Sequence, residues 1–155
     1  MAANGFVWKY NVSGGRPLIL TFLMKDTETF TRGDMVNIES GEVDLAATGD
    51  AALAGVFVGA EDPADATAGN PGIVSGTDST TVVQVIVSPD AVYDDKNDTS
   101  TRLAGALLDI SGATGAQTVA ASSNTEFVVV ERKRLAADPT RIMIIPNSHY
   151  LVKDQ

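Results

Sequence analysis

Hydrophobic and polar positions alternate over short stretches of this chain, and Gly, Pro, Asp, Asn and Ser separate the stretches. A period of two marks a strand with one buried face and one wet face. Met35-Val36-Asn37-Ile38-Glu39 runs through Ser40-Gly41 into Glu42-Val43-Asp44-Leu45-Ala46. Val43 and Leu45 share one side, and Glu42, Asp44 and Ala46 share the other. A turn in which Gly41 supplies a positive φ makes the two runs a tight hairpin. Ala54-Gly55-Val56-Phe57-Val58-Gly59 predicts a third strand, whose glycines mark a close backbone approach or a bulge. Residues 80–87 are β-branched at nearly every position and predict the strongest strand, stopping at Ser88-Pro89-Asp90. Residues 61–79 and 94–100 read as polar surface loops.

Farther along, residues 102–110 fit either a short helix or a strand entered through a bend: Leu103, Leu107 and Ile110 suit a helical face, and Gly105 breaks it. Two more strands are predicted within 117–120 and 125–132, and a last one at 141–145, closed by Pro146-Asn147. No segment keeps a 3.6-residue stripe over three turns, so helix content is small. Short strands with turn signals about every 8–12 residues predict a mainly β fold, a compact β-barrel or β-tulip-like sandwich. Residues 31–155 form the expected barrel domain, and residues 1–30 an extended N-terminal arm and first strand. Phe6, Trp8 and Tyr10 alternate and present three aromatics on one side. The run is either an arm lying on a neighbouring subunit or an ordinary first strand.

The chain has 155 residues, 44% of them hydrophobic, which suits one domain with a core that needs no staples. It has no cysteine, which removes disulfide scaffolds, thiol nucleophiles, thiolate zinc sites and iron–sulfur clusters. The first residues lack the basic and apolar runs of a secretory leader, and no apolar run approaches the ~20 residues of a membrane span. A soluble, unprocessed chain is expected, and the glycosylation patterns at Asn11 and Asn97 are read as chance. The formal charge of −9 opposes nucleic acid or an anionic membrane as partner. Residues 42–98 hold 11 acidic side chains and one basic, a net of −10, so the rest of the chain is at +1. The middle segment then reads as a solvated face and the two ends as contacting surfaces, or the acidic loops serve solubility alone.

No catalytic set converges. His149 is the sole histidine, with neither a nucleophile elbow nor a phosphate-binding glycine frame anywhere in the chain. Asp90, Asp94, Asp95 and Asp98 crowd one loop with Asn97, but without the frame of a calcium loop they read first as a solvated turn. Gly112-Ala113-Thr114-Gly115-Ala116 reads as a turn between strands. Arg32-Gly33-Asp34 is a tripeptide that some adhesion receptors recognise, although a turn there also calls for glycine. Arg132-Lys133-Arg134, with Arg141 across a loop, is the positive patch. Three consecutive side chains cannot face one way on a strand, so either part of the patch pairs with an acidic partner or it is a solvated strand end.

Arg32-Gly33-Asp34-Met35-Val36, Gly55-Val56-Phe57-Val58-Gly59-Ala60 and Arg141-Ile142-Met143-Ile144-Ile145-Pro146-Asn147, together with the aromatic first run, resemble the head-decoration, or cement, proteins of tailed bacteriophages. The likeness lies in the style of short strands and Ala/Gly/Thr-rich loops. It implies a β-barrel or β-tulip, often a homotrimer, on the capsid exterior of the virion. There it would bridge capsomers of a major capsid protein of the HK97 type, without enzymatic activity or cofactor. It also implies shell contacts near the two ends, at Phe6, Trp8 and Tyr10 and in the tail from His149. With the cationic candidates, the expected partner-binding set is Phe6, Trp8, Tyr10, Arg16, Arg132, Arg134, Arg141, His149 and Tyr150. The alternative is a carbohydrate-binding or adhesion β-module using exposed aromatics and the acidic loop.

Overall fold

The computed structural model describes residues 5–50, 52–77, 80–121 and 125–152. Strands β1 (Phe6–Asn11), β2 (Ile19–Leu23), β3 (Thr29–Thr31), β4 (Met35–Glu39), β5 (Glu42–Leu45), β6 (Leu53–Ala60) and β7 (Ala66–Thr67) make the first half. The second half holds β8 (Asn70–Ser75), β9 (Val82–Ile86), β10 (Ala91–Asp95), β11 (Leu107–Ser111), β12 (Thr118–Ala120), β13 (Phe127–Val129) and β14 (Thr140–Ile144). Short 3-10 turns at Pro63–Asp65 and Pro146–Ser148 are the helical content among the described residues. The fold is a mainly β sandwich of antiparallel sheets, none closed into a barrel. The orders are β1-β10-β14-β13-β11-β12, β2-β9-β6-β4-β5 and β3-β8-β7. The five-stranded sheet curls until Met24, just past β2, forms a parallel bridge with Val43 of β5.

Burial alternates along the strands of this curled sheet and feeds two cores. Met35, Leu53, Val56 and Ile86 join Phe6, Tyr93, Phe127, Ile142 and Ile144 against the six-stranded sheet. Val36, Ala54, Phe57, Val85 and Val87 turn to the other side, where Phe30 and Val74 of the three-stranded sheet meet them. A sheet covered on both faces needs apolar residues at consecutive positions, which is why residues 53–58 and 82–87 lack clean alternation. The predicted hairpin forms with Glu39 opposite Glu42. Ser40 (φ 54) and Gly41 (φ 85) make its two-residue loop left-handed throughout, as the right-handed strand twist favours. Residues 102–110 resolve to the bent strand: a turn at Gly105 leads into β11.

Two expectations change. Residues 61–79 are not one loop; β7 and β8 pair there, and Val74 of β8 lies opposite Phe30 of β3 in the second core. Asp94 and Asp95 do not belong to a solvated loop but end β10, a strand with every residue buried. Their carboxylates are compatible with burial because each has partners inside the protein. Of the two readings of the aromatic run, the ordinary first strand is the one found: it is β1, paired with β10. Residues 1–4 of the expected arm lie outside the described residues.

Candidate interface

The structure divides the expected contact residues sharply by exposure. Phe6 is a core residue, 1% exposed, stacked on Phe127 at 6.0 Å between centroids. Trp8 is half-buried, and its indole N–H donates to Asn11 Oδ1 at 3.0 Å. Tyr10 follows a bulge in the β1–β10 pairing and is also half-buried. Arg16 is exposed in the connection to β2, where its carbonyl accepts from the Asn11 side chain at 3.1 Å.

The C-terminal candidates sit elsewhere. Lys133 turns inward, 3% exposed, donating to the Asp98 carbonyl, while Arg132 and Arg134 remain outside, so the basic triplet splits as its spacing requires. Arg141 pairs with Asp94 at 3.2 Å and with Glu131 at 3.0 Å, and with Arg132 and Asp138 it lines a polar hollow of about 230 Å³. Val7, Asp94 and Arg141 form one cross-strand row. His149 is a correction: it is fully buried, where the chain crosses to pair with Leu53, and offers no surface. Its Nδ1 accepts from Leu151 N at 3.2 Å, and burial lowers its pKa to about 4, so it is neutral at pH 7. Tyr150 packs edge-on against Phe22 at 5.8 Å. Thus the structure brings Phe6 and Trp8 together, with the Arg16 backbone joined to Trp8 through the Asn11 side chain, and Arg132 and Arg141 together, but leaves His149 apart from both groups.

The acidic residues hold the fold together. Asp34, fully buried, accepts from Thr31 N at 2.8 Å, Thr114 Oγ1 at 2.5 Å and Gly115 N at 2.9 Å. The aspartate of Arg32-Gly33-Asp34 therefore faces inward and is not presented to a receptor, and the Gly112–Gly115 turn serves as its cradle. Asp90 accepts from Ser13 N at 2.7 Å, and Asp95 from Asn97 N, Thr118 Oγ1 and Val119 N, each at 2.8 Å. Asp98 takes a two-pronged contact from Arg102 at 2.9 and 3.1 Å, and Thr140 Oγ1 at 2.6 Å. Burial opposes it, yet these donors hold the Asp98 carboxyl below its ordinary pKa. The four aspartates thus point to separate partners, and the described residues hold no cluster of three or more metal-ligating side chains.

Two surfaces went unread in the sequence. One is β2, an edge strand beside β9, with Leu18, Ile19, Leu20 and Leu23 at 47%, 45%, 36% and 41% exposure. Leu18 O accepts from Val87 N and Met24 N donates to Thr81 O, so even-numbered positions face β9. By alternation, the backbone groups of Ile19 and Thr21 face the open edge, which closes at Leu23, where the parallel bridge of Met24 to Val43 brings β5 alongside. The signal was an apolar stretch without a charge from Leu18 to Met24. The other surface is a cleft of about 630 Å³ where β1, β6 and β8 meet, walled by Phe6, Trp8, Val58 and Ile73, with Arg32 as the sole ionisable residue lining it. No local pattern marks this cleft, because its walls come from distant parts of the chain. No protein-family model matches this chain, and no curated protein matches it.

Proposed function

We propose that this protein works by adhesion, as a non-enzymatic decoration, or cement, protein. In this reading homotrimers sit on the exterior of a tailed-phage head and bridge capsomers of an HK97-type major capsid protein. The observation that carries the reading is β2: an uncharged edge strand with three exposed aliphatic side chains, a fourth at Leu18 just before it, and open backbone donors and acceptors at Ile19 and Thr21. Proteins usually blunt such an edge with charge, proline or a covering segment, because an open one recruits another chain. The resemblance noted in the sequence supplies the identity of the surface to be joined. Many modest contacts repeated by symmetry suit that task, since linking them multiplies residence time.

Deleting the first dozen residues would remove a strand of the sandwich, so point variants make the cleaner test. Ile19→Lys with Leu23→Lys places charge on the open edge while leaving both cores untouched. Co-sedimentation with expanded phage shells is expected to fall at least tenfold for this variant, with an unchanged melting temperature. Shell binding equal to the parent's, or a parent that does not sediment with shells, overturns the proposal.

A further inference from the structure

We infer that the cleft beside β1 receives an extended, carboxylate-bearing segment of a partner chain, laid along the open edge of β1 with an apolar side chain in the hollow and its carboxylate on Arg32. The inference rests on the adhesive reading above and gives the partner a chemistry.

Backbone geometry argues for a strand-like occupant. Lys96 N donates to Gly5 O, so Gly5 and Val7 turn toward β10, and Phe6 and Trp8 turn outward. Phe6 N is met by Gly33 O at 2.8 Å. Past that bond, the Phe6 carbonyl and the Trp8 N–H and carbonyl face the cleft, with no strand of the described residues beside them. An added peptide can close these groups into a ladder, which supplies affinity, while the hollow supplies side-chain selectivity. At about 630 Å³ the hollow is of the size that encloses a small ligand or a few side chains.

Charge argues for an acidic occupant. The Arg32 Nε donates to Val58 O at 3.0 Å, which holds the guanidinium at the cleft, and among the described residues no carboxylate lies within ion-pairing distance of it. The adjacent Asp34 is turned away onto Thr31, Thr114 and Gly115. On a chain of net charge −9, an unopposed arginine on an apolar hollow favours an anion and leaves a cationic segment no counter-charge there.

Trp8 is the only tryptophan, so its emission reports occupancy directly. The probe is an acetylated five-residue peptide, alternating valine and threonine around a central phenylalanine and ending in aspartate with a free carboxylate. Saturable change in Trp8 emission is expected, with binding at least tenfold weaker for the same peptide ending in asparagine amide, for a form N-methylated at the central residue, and for Arg32→Gln with an unchanged melting temperature. No emission change at millimolar peptide, equal binding of the neutral peptide, or undiminished binding of the N-methylated form overturns the inference. So does dodecanoate that binds at the cleft while the peptide fails to compete. Shell co-sedimentation, run in parallel, separates the two claims. Peptide binding without shell binding upholds the cleft and overturns the capsid assignment; shell binding with a silent cleft does the reverse.

Discussion

The carboxylates of Glu126 and Asp109 converge on one donor, the Ile110 N–H, at 2.8 and 2.9 Å, with both residues closed off from water. Glu126 also accepts from Gly49 N at 2.9 Å. Burial and the neighbouring carboxylate push its pKa up to about 8, so the pair holds a proton at neutral pH. The unfolded chain gives up this proton near pH 4.5, whereas the folded chain keeps it until about pH 8. Stability from this group is therefore complete below pH 4.5 and lost as pH rises toward 8, on the order of 5 kcal/mol. Glu126→Gln is expected to escape that loss, so its melting temperature relative to the parent should climb between pH 4.5 and 9. A constant difference across that range would falsify the shared proton.

His149 gives the opposite slope. Its Nε2 faces the Val87 and Ala54 carbonyls without closing a good hydrogen bond, and burial keeps the ring neutral down to about pH 4. The unfolded chain protonates near pH 6.5. Stability from this group is present above that pH and falls away toward pH 4, by roughly 3 kcal/mol. His149→Gln keeps a donor and an acceptor but cannot titrate. Denaturant melts at pH 7 and pH 4 should show a smaller acid loss for the variant than for the parent; an identical loss rules out His149 as its source.

Two glycines of β6 should respond in contrasting ways. A Cβ on Gly55 would stand 1.7 Å from Ile86 O, at a φ of +142 that other residues rarely adopt. Gly55→Ala should cost about 3 kcal/mol or more, or prevent folding. Gly59 follows an irregularity in the pairing with β9, and a Cβ there would meet nothing within 4 Å. Gly59→Ala should change stability by less than about 0.5 kcal/mol by chemical denaturation. Equal effects of the two substitutions would contradict this packing.

Asp98 is the centre of its ion cluster and Lys133 is peripheral to it. Removing the Asp98 side chain leaves Lys133 buried and Arg102 without its carboxylate, whereas Lys133→Met leaves Asp98 with Arg102 and Thr140. Asp98→Ala is accordingly expected to cost about 3–5 kcal/mol, and Lys133→Met only about 1 kcal/mol. Urea melts of both variants measure the ratio, and similar costs would show that the ammonium group is the centre instead.

The hairpin at 35–46, the strands at 53–60 and 82–86 and the inward turn of one residue in Arg132-Lys133-Arg134 were legible along the chain because each follows from neighbours a few residues away. Strands β2, β3, β8 and β10 were not. Phe30 meets Val74, Ile19 meets Ile86, and Asp95 is accepted into a buried strand only because Thr118 and Val119 bring it hydrogen-bond donors. Composition makes the segments of β3, β8 and β10 look like loops, since nothing local says that a partner will come, whereas β2 carried only its apolar stretch.

Periodicity and turn chemistry alone established a mainly β chain with little helix and its tight hairpin, and left the glycines of 54–59 as a close approach or a bulge. These are properties of the backbone and of water acting over a few residues. Which aspartates are buried, that His149 is sealed in while Ile19 stays outside, and that Trp8 and Arg32 share one cleft depended on the finished fold. Burial and hydrogen-bond satisfaction are set by whatever distant strand arrives beside a residue, and that neighbour is not encoded in the residue's own surroundings along the chain.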